Sequence, residues 1–300
     1  MKTMIKSKLS QLASIALIRY KSPYRSFIVG LIKRIYKKKQ SYNELGAFVG
    51  YLSYKNASVK YFLNKDSFIE NKILKDGIHS KYVLDEIMSN IIPDSIFIDV
   101  GANIGSISLP VATICKNTNV SVVSCESSSV IFKKLEKNIL LNDINNVHPY
   151  ECAVYSHNDG VVFHEQLADA KNQGLSSINQ NEDIGEYVEK HVESITLDSL
   201  INSLNLNKRV SVVKIDVQGS EYQVLLGAKE VIEKDRPVVI FEHEDEYHNE
   251  PENVKHEIVS FFDAHGYSLF VLNPSTGSAR FALNMKDYVN TNIVAFPIRP

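Results

Sequence analysis

The residues with the clearest chemical potential lie between Ile96 and Gly105, where the chain reads Ile-Phe-Ile-Asp-Val-Gly-Ala-Asn-Ile-Gly. An apolar run that contains Asp99 near its carboxyl end predicts a strand buried on both faces of a parallel sheet. Gly101 and Gly105 then allow a sharp turn and let a ligand approach the backbone closely. Because ligands bind beyond the carboxyl ends of the strands in open α/β sheets, this segment predicts a small-molecule site.

A second acid is placed to complete that site. The valines before Cys125 predict the next strand, and Glu126 at its tip lies 21 positions after Gly105. An acid near this offset suits hydrogen bonds from the diol of a ribose. Taken singly, Asp99 can instead cap a loop, and Glu126 can be an acid at the start of a helix. Together with the glycines, the two acids predict nucleoside binding.

The glycine spacing and the acid favour a cationic nucleoside over a dinucleotide. A dinucleotide fingerprint has three glycines, as in Gly-x-Gly-x-x-Gly, whereas Asn103 occupies the middle position here. A carboxylate at Asp99 disfavours a pyrophosphate beside the loop. It suits the amino and sulfonium groups of S-adenosylmethionine.

Alternating strands and helices must position these residues. Helical spacing of apolar residues predicts one helix that ends before Pro93 and a second helix after the strand that carries Glu126. The polar segment 165–194 is either an active-site lid or a surface insertion. Further strands are predicted near residues 148–154, 161–164, 210–216, 238–241, 268–272 and 293–296, of which the last two complete the sheet.

A series of short motifs continues along the chain after the first loop. They are Asp99–Gly105, Cys125-Glu126-Ser127, Leu141-Asn142, Ala153-Val154, Thr196-Leu197-Asp198, Lys214–Gly219 and Arg236–Glu242. In this order they resemble the FkbM-type methyltransferase family, from about residue 65 to the C-terminus. The resemblance implies an α/β fold like that of class I methyltransferases (Rossmann-like). Such a fold has a mostly parallel seven-stranded sheet flanked by helices, and S-adenosylmethionine is the implied cofactor. The chain departs from the family at Ser127, where proline is usual, and at Gln218, where glutamate is frequent.

The resemblance and the positions at strand ends together give each site residue an expected role. Asp216, Glu242 and His243 are expected to face the acceptor, with His243 as the best general base because an imidazole titrates near neutral pH. The acids and histidines that follow His243 have no recognised metal-ligand spacing, so no metal is expected. The expected cofactor-binding residues are Asp99, Gly101, Asn103 and Gly105 on the methionine side, Glu126 at the ribose, and Ser127, Asn142 and Ala153 beside the nucleoside.

The activity implied is methyl transfer to a hydroxyl oxygen of a sugar, glycan or polyhydroxylated natural product. Two other classes of protein remain open at this stage. An NAD-dependent oxidoreductase would use the same strand and loop geometry, and a noncatalytic nucleoside-binding module could retain the cofactor site alone. A nucleic-acid partner is not expected, because the main part of the chain is acidic.

Charge divides the 300-residue chain into unlike parts. Residues 1–43 hold eleven basic side chains and no acid, whereas the remaining 257 residues hold 22 basic and 35 acidic side chains. We therefore expect a basic helical N-terminal arm over 1–43, a cap region over 44–94, and the S-adenosylmethionine-binding domain over 95–300. Neither apolar run of the arm approaches the ~20 residues of a membrane span.

The arm has three possible environments. A basic amphipathic segment can lie on an anionic membrane surface, remain solvated, or pack on the catalytic domain. The three cysteines lack Cys-x-x-Cys spacing, which predicts buried thiols in a reducing compartment. The expected location is cytoplasmic, with the inner face of the membrane as the surface that the arm would contact.

Deletion of residues 1–38 should leave cofactor binding intact, since every expected cofactor residue lies after residue 98. The same deletion should reduce sedimentation of the protein with anionic vesicles. The difference from the undeleted chain should shrink as added salt screens the charges. An undeleted chain that ignores such vesicles at low salt would contradict the membrane-surface interpretation.

Overall fold

A computed structural model describes residues 48–55, 57–64, 67–166, 176–178, 187–245, 251–274, 279–281 and 291–298. The predicted arm over 1–43 lies outside these residues, as does much of the polar segment 165–194. In the described part of the chain, no helix is both long and apolar enough to cross a bilayer.

The described chain contains the following strands and helices. In order, the strands are β1 (Phe48–Tyr54), β2 (Ala57–Leu63), β3 (Ser95–Val100), β4 (Ser121–Glu126), β5 (Val147–Glu151), β6 (Ala153–Val154), β7 (Val161–Gln166), β8 (Tyr187–Val192), β9 (Ser194–Ile195), β10 (Arg209–Ile215), β11 (Val238–His243), β12 (Tyr267–Leu272), β13 (Ala279–Phe281) and β14 (Thr291–Pro297). The helices are α1 (Phe68–Asp76), α2 (Lys81–Asn90), α3 (Ser108–Ile114), α4 (Ser129–Asn142), α5 (Leu197–Leu204), α6 (Glu221–Leu226), α7 (Lys229–Asp235) and α8 (Pro251–Ala264).

The central sheet has the strand order β13-β12-β14-β11-β10-β3-β4-β5. Strands β11, β10, β3, β4 and β5 are parallel, and β14 is antiparallel to its neighbours β11 and β12. The predicted mostly parallel seven-stranded sheet flanked by helices is thus confirmed, and β13 adds a three-residue strand at one edge. The predicted third strand near 148–154 is instead two strands, because β6 leaves the sheet to pair with β9.

Alternation of side chains along the strands divides the core into two layers. Phe97 and Val122 pack with the hairpin β1–β2 and with α1–α4 on one face of the sheet. Ile98 and Val123 pack with α5–α8 on the other face. Every residue of β3 and β4 is buried, as expected for central parallel strands. All three cysteines are unpaired and buried, which confirms the prediction of buried thiols.

Two asparagines of α4 bind the outer edge of β2. The Asn142 side chain accepts a hydrogen bond from the Lys60 amide (2.8 Å) and donates one to the Lys60 carbonyl (2.7 Å). Asn138 accepts from the Phe62 amide (2.9 Å) and donates to the carbonyl of Ile104 in the glycine-rich loop (3.0 Å). The cap hairpin is therefore joined by hydrogen bonds to the elements that carry the loop.

The glycine-rich loop leaves β3 in contact with the end of β10. Gly101 has φ +80°, and a Cβ there would lie 1.9 Å from the carbonyl oxygen of Asp216. The Asp216 amide donates to the carbonyl of Val100 (3.0 Å), which joins the two strand ends. Only glycine satisfies both the backbone conformation and the close approach.

Substitution Gly101→Ala should lower the free energy of unfolding by at least about 4 kcal/mol, because the new methyl group forces the two strand ends apart. Gly77→Ala is the matched control, since Gly77 also has positive φ (+74°) but a Cβ there meets nothing within 4 Å. Gly77→Ala should lower the free energy of unfolding by only about 1–2 kcal/mol, the strain of a left-handed conformation at alanine. Urea unfolding of both variants measures the difference, and equal losses would show that the contact with Asp216 does not constrain this position.

Candidate functional site

A cavity of about 760 Å³ opens beyond the carboxyl ends of β3, β4, β10 and β11. Its volume falls within the roughly 300–1,000 Å³ of typical ligand pockets. The lining comes from the glycine-rich loop, the tips of these strands, and the segment that joins α1 to α2. The cavity thus lies where the strand order reverses between β3 and β10, as ligand sites in open α/β sheets do.

The glycine-rich loop is held against β4 by its backbone. The amides of Gly101 and Ala102 both donate to the carbonyl of Cys125 (3.0 and 2.9 Å). Asn103 has φ +51°, a left-handed conformation that asparagine tolerates better than most residues. Its side-chain oxygen accepts a hydrogen bond from the amide of Ile104 (2.8 Å). Asn103 therefore replaces the middle glycine of the usual fingerprint and keeps the left-handed backbone.

Glu126 is a buried carboxyl group that binds this loop. One of its oxygens accepts from the Asn103 amide and the other from the Ser128 amide, both at 2.9 Å. Burial raises the pKa of Glu126 to about 7, although these two hydrogen bonds oppose the rise. A carboxyl group offers about four acceptor positions. Two thus remain for a diol that enters the cavity.

Asp99 presents a polar atom without a protein partner. Its Oδ2 accepts from the Ser108 hydroxyl (2.5 Å), whereas the buried Oδ1 has no hydrogen-bond partner among the described residues. Burial raises the pKa of Asp99, and the ammonium of Lys214 opposes this rise. A buried acceptor without a partner is costly unless a ligand or water binds it. Asp99 lines the cavity, so it fits the amino group of a cationic ligand.

The other end of the cavity contains an ion pair and an additional carboxyl group. Lys214 contacts Asp216 at 2.8 Å, and the Gln218 amide donates to the second oxygen of Asp216 (3.0 Å). Burial alone would raise the pKa of Asp216, but the Lys214 ammonium and these hydrogen bonds hold it below its usual value. The negative charge of Asp216, together with burial, raises the pKa of Glu242 to about 9. Near neutral pH the two carboxyl groups therefore share one proton.

Three further residues at this end were not predicted from the sequence. The Asn292 amide donates to Glu242 (3.3 Å) and to the Tyr82 hydroxyl (3.1 Å). His79 lines the same cavity, and burial lowers its pKa to about 4, so its imidazole is neutral. The spacing of apolar residues predicts Tyr82 as part of a helix and indicates no role for it in the site. His79 and Asn292 belong to no recognisable motif.

Six of the eight expected cofactor residues line the cavity, and two do not. The six are Asp99, Gly101, Asn103, Glu126, Ser127 and Ala153. Gly105 is outside the lining: a Cβ there would lie 2.8 Å from Leu109 and 2.9 Å from Leu135, so glycine is required by helix packing. Asn142 is also outside, because its amide is occupied by the edge of β2. The structure therefore does not bring these two expected cofactor residues to the cavity.

Of the three expected acceptor-side residues, two line the cavity and one does not. Asp216 and Glu242 line the cavity, but His243 does not. Successive residues of a strand face opposite sides, so His243 points away from the cavity when Glu242 points into it. The His243 imidazole is buried with its Nε2 3.2 Å from Asp245, which also binds Lys255 at 2.9 Å. The structure therefore does not bring His243, the expected general base, to the cavity.

The sequence model of the methyltransferase FkbM domain matches residues 99–269, which is more than half of the chain. This range contains both ends of the cavity, from Asp99 to Glu242. The chain belongs to the FkbM methyltransferase family. Its cofactor is accordingly S-adenosylmethionine, as in that family.

Two curated relatives and one solved structure are similar to this FkbM methyltransferase. Methyltransferase 1 of Beauveria bassiana is 24% identical over 172 residues, which cover 52% of this chain and 68% of the relative. The AMB antimetabolite synthetase AmbE of Pseudomonas aeruginosa is 28% identical over 213 residues, which cover 61% of this chain and 10% of the relative. The chain thus spans about two thirds of one relative and a tenth of the other. The crystal structure of methyltransferase FkbM from Methylobacillus flagellatus has a TM-score of 0.41 and 14% identity, with 76% of this chain and 52% of that chain covered. The fold assignment rests on the strand order of the central sheet.

The shared proton of Glu242 should make stability depend on pH. The pKa of Glu242 in the folded protein is about 9, above the ordinary value of 4.5. Its contribution to the free energy of unfolding is therefore complete below about pH 4.5 and is lost as the pH rises to 9. Glu242→Gln mimics the protonated group and should flatten the fall in melting temperature between pH 6 and 9. Glu136→Gln, an exposed change on α4, is the control and should leave the wild-type slope. Parallel curves for wild type and Glu242→Gln would contradict a shared proton.

Proposed function

We propose that this protein transfers the methyl group of S-adenosylmethionine to a hydroxyl oxygen of a sugar, glycan or polyhydroxylated natural product. The main support for the proposal is that one continuous cavity extends from the carboxyl groups of Asp99 and Glu126 to those of Asp216 and Glu242. The first end suits a cationic nucleoside, and the second suits a hydroxylated acceptor.

The residues at the first end fit S-adenosylmethionine by their chemistry. Asp99 offers a buried oxygen without a partner to the amino group, and Glu126 offers two acceptor positions to the ribose diol. Ser127, Cys152 and Ala153 line the adjoining wall, where the adenine would lie. Lys214 lies in a buried cluster with the carboxyl groups of Asp99, Asp216 and Glu242. A cationic ligand at this cavity would offset part of the negative charge of that cluster.

The residues at the second end can hold neighbouring hydroxyl groups in different ways. Ionised Asp216 accepts a hydrogen bond, whereas protonated Glu242 donates one. Asn292 and Tyr82 add an amide and a phenol at the same wall. Such a mixed set of donors and acceptors suits an acceptor with several hydroxyl groups, since each hydroxyl both donates and accepts.

The bound cofactor supplies a methyl carbon that is already electrophilic. The chain must therefore align the acceptor oxygen with that carbon and exclude competing water. Lys214 and Gln218 fix the Asp216 carboxylate, which gives the acceptor a rigid hydrogen-bond partner. Segment 176–178 adds a wall above the cavity, where the Ser177 hydroxyl donates to the Gln218 carbonyl (3.0 Å).

The composition of the N-terminal arm supports a more specific acceptor. Eleven basic residues and no acid in residues 1–43 favour contact with an anionic membrane surface. An acceptor at such a surface would be a cell-surface glycan or its lipid-linked precursor. We accordingly propose a cytoplasmic location, at the inner face of the membrane.

Labelled methyl transfer from S-adenosylmethionine into a glycan extract, followed by mass spectrometry of the product, tests the activity. Incorporation into a hydroxyl-bearing glycan supports it. Calorimetric titration with S-adenosylmethionine and with NAD separates the alternatives. Saturable binding of NAD alone would reject the proposal, and cofactor binding without any transfer would favour a noncatalytic module.

Glu126→Ala should weaken S-adenosylmethionine binding at least about tenfold, because hydrogen bonds to a charged group contribute about 1.5–3 kcal/mol each. Glu126→Gln keeps one acceptor oxygen and should give a smaller loss. Glu151→Ala is the matched control: it pairs with Glu126 across β4 and β5 but is exposed and outside the cavity lining. Calorimetry on variants with a wild-type circular dichroism spectrum provides the dissociation constants. An unchanged constant in folded Glu126→Ala would remove this residue from the site.

A further inference from the structure

The segment between α1 and α2 places an imidazole over the acceptor end of the cavity. Gly77, with φ +74°, follows the last residue of α1 as its C-cap, and the Ser53 amide donates to the Gly77 carbonyl (2.9 Å). This bond fixes the segment to β1. His79 follows two residues later and lines the same cavity as Asp216 and Glu242.

The orientation of this imidazole is set by its neighbour. The His79 Nδ1 lies 3.2 Å from the Ser80 hydroxyl. Ser80 itself has φ +47°, an uncommon conformation for a residue other than glycine or asparagine. Among the described residues, no hydrogen bond engages the His79 Nε2. The Nδ1 of His79 thus contacts Ser80, whereas its Nε2 is available to a ligand in the cavity.

Three titratable groups near His79 are already engaged with one another, and the carboxyl group of Glu244 also lines this cavity. Lys214 is protonated, since the carboxylates of Asp216 and Asp99 raise its pKa against the effect of burial. The Asp216 carboxylate is held by Lys214, which lowers its pKa. Glu242 already carries a proton, with a pKa of about 9. The neutral imidazole of His79 has a basic lone pair on Nε2 when its Nδ1 carries the ring proton and donates it to the Ser80 hydroxyl.

We propose that the Nε2 of His79 accepts the proton of the acceptor hydroxyl during methyl transfer, an inference that rests on the function proposed above. The acceptor oxygen forms a bond to the methyl carbon as the bond from that carbon to sulfur breaks. The electron pair of the broken bond remains on sulfur, and the cofactor leaves as a neutral thioether. The hydroxyl proton moves to the imidazole and then to solvent.

The electrostatics around His79 match this task. Burial, Lys214 and Lys72 favour the neutral imidazole before reaction, and together they outweigh Asp216. A weak base is sufficient, because a hydroxyl group becomes strongly acidic while its oxygen is being methylated. Once the proton has moved, the negative charge of Asp216 stabilises the imidazolium. The other polar groups at this end include Tyr82, Glu242, Glu244 and Asn292.

Two variants separate a catalytic from a structural role. His79→Gln should lower turnover about 100- to 10,000-fold with labelled cofactor and glycan extract, the usual range for a general base. Its dissociation constant for S-adenosylmethionine should remain within about twofold of wild type. His79→Gly leaves a space, and added imidazole should restore part of its turnover, which a purely structural role would not allow. His256→Gln, an exposed change on α8, is the control and should behave as wild type.

A chemical measurement tests the same residue without turnover. Diethyl pyrocarbonate modifies neutral, accessible imidazoles, and ordinary histidines lose reactivity as they are protonated below about pH 6. Mass spectrometry should show that His79 remains reactive at pH 5.5. An imidazole of His79 that is unreactive at both pH 7.5 and pH 5.5 would not be accessible from the cavity, and this result would overturn the inference.

The outcomes distinguish this inference from the proposed function. Wild-type transfer to glycan with undiminished turnover in His79→Gln would overturn the role of His79 and leave the function standing. Absence of rescue by imidazole in an otherwise folded His79→Gly would also count against it. No transfer by the wild type to any hydroxyl acceptor would overturn both.

Discussion

The contact between the backbone of the glycine-rich loop and the end of β10 is the constraint on which the site depends. Strands β3 and β10 are parallel neighbours, and beyond them the chain connections diverge to opposite sides of the sheet. Gly101 turns against the carbonyl of Asp216, and the Asp216 amide binds the Val100 carbonyl. The cofactor loop and the acceptor-side acid are thus positioned by a single junction. A shift of either strand end would displace both halves of the cavity.

A shortage of positive charge determines the chemical state of the cavity. Lys214 is the buried ammonium group shared by Asp99 and Asp216, with Glu242 close by. Within this cluster the carboxyl groups respond differently: Asp216 stays ionised beside the ammonium, whereas Glu242 retains its proton. The two carboxyl groups consequently offer an acceptor and a donor within one small region. A cationic cofactor is the natural counterpart of such a cluster, in agreement with the family to which the chain belongs.

The strand tips could be predicted from sequence because an apolar run followed by an acid has few other interpretations. Asp99, Glu126 and Asp216 all lie at the cavity for this reason. The sequence could not decide between Glu242 and His243, since adjacent residues of a strand face opposite sides and both are polar. Their directions follow from how β11 twists against its neighbours, which is a property of the assembled sheet.

Other parts of the site could not be predicted from the sequence, because their positions depend on contacts between residues far apart in the chain. His79 belongs to a loop with no motif, and it reaches the cavity only because the cap packs on α3 and α4 through a common core. Asn142 belongs to a recognisable motif, yet its amide binds a strand far away in sequence. Gly105 similarly satisfies the packing of Leu109 and Leu135. A motif can thus be necessary for the fold without any of its side chains contacting a ligand.

The asparagine contacts of α4 have a consequence for how molecules of this protein meet one another. An open strand edge is a template on which a second chain can add a strand. On the outer edge of β2, the amide and carbonyl of Lys60 and the amide of Phe62 are already bound by the side chains of Asn142 and Asn138. The helix thus supplies the hydrogen bonds that a third strand would make. Two amide side chains thereby protect a two-stranded hairpin against edge-to-edge association, without any need for charge or proline on the strand itself.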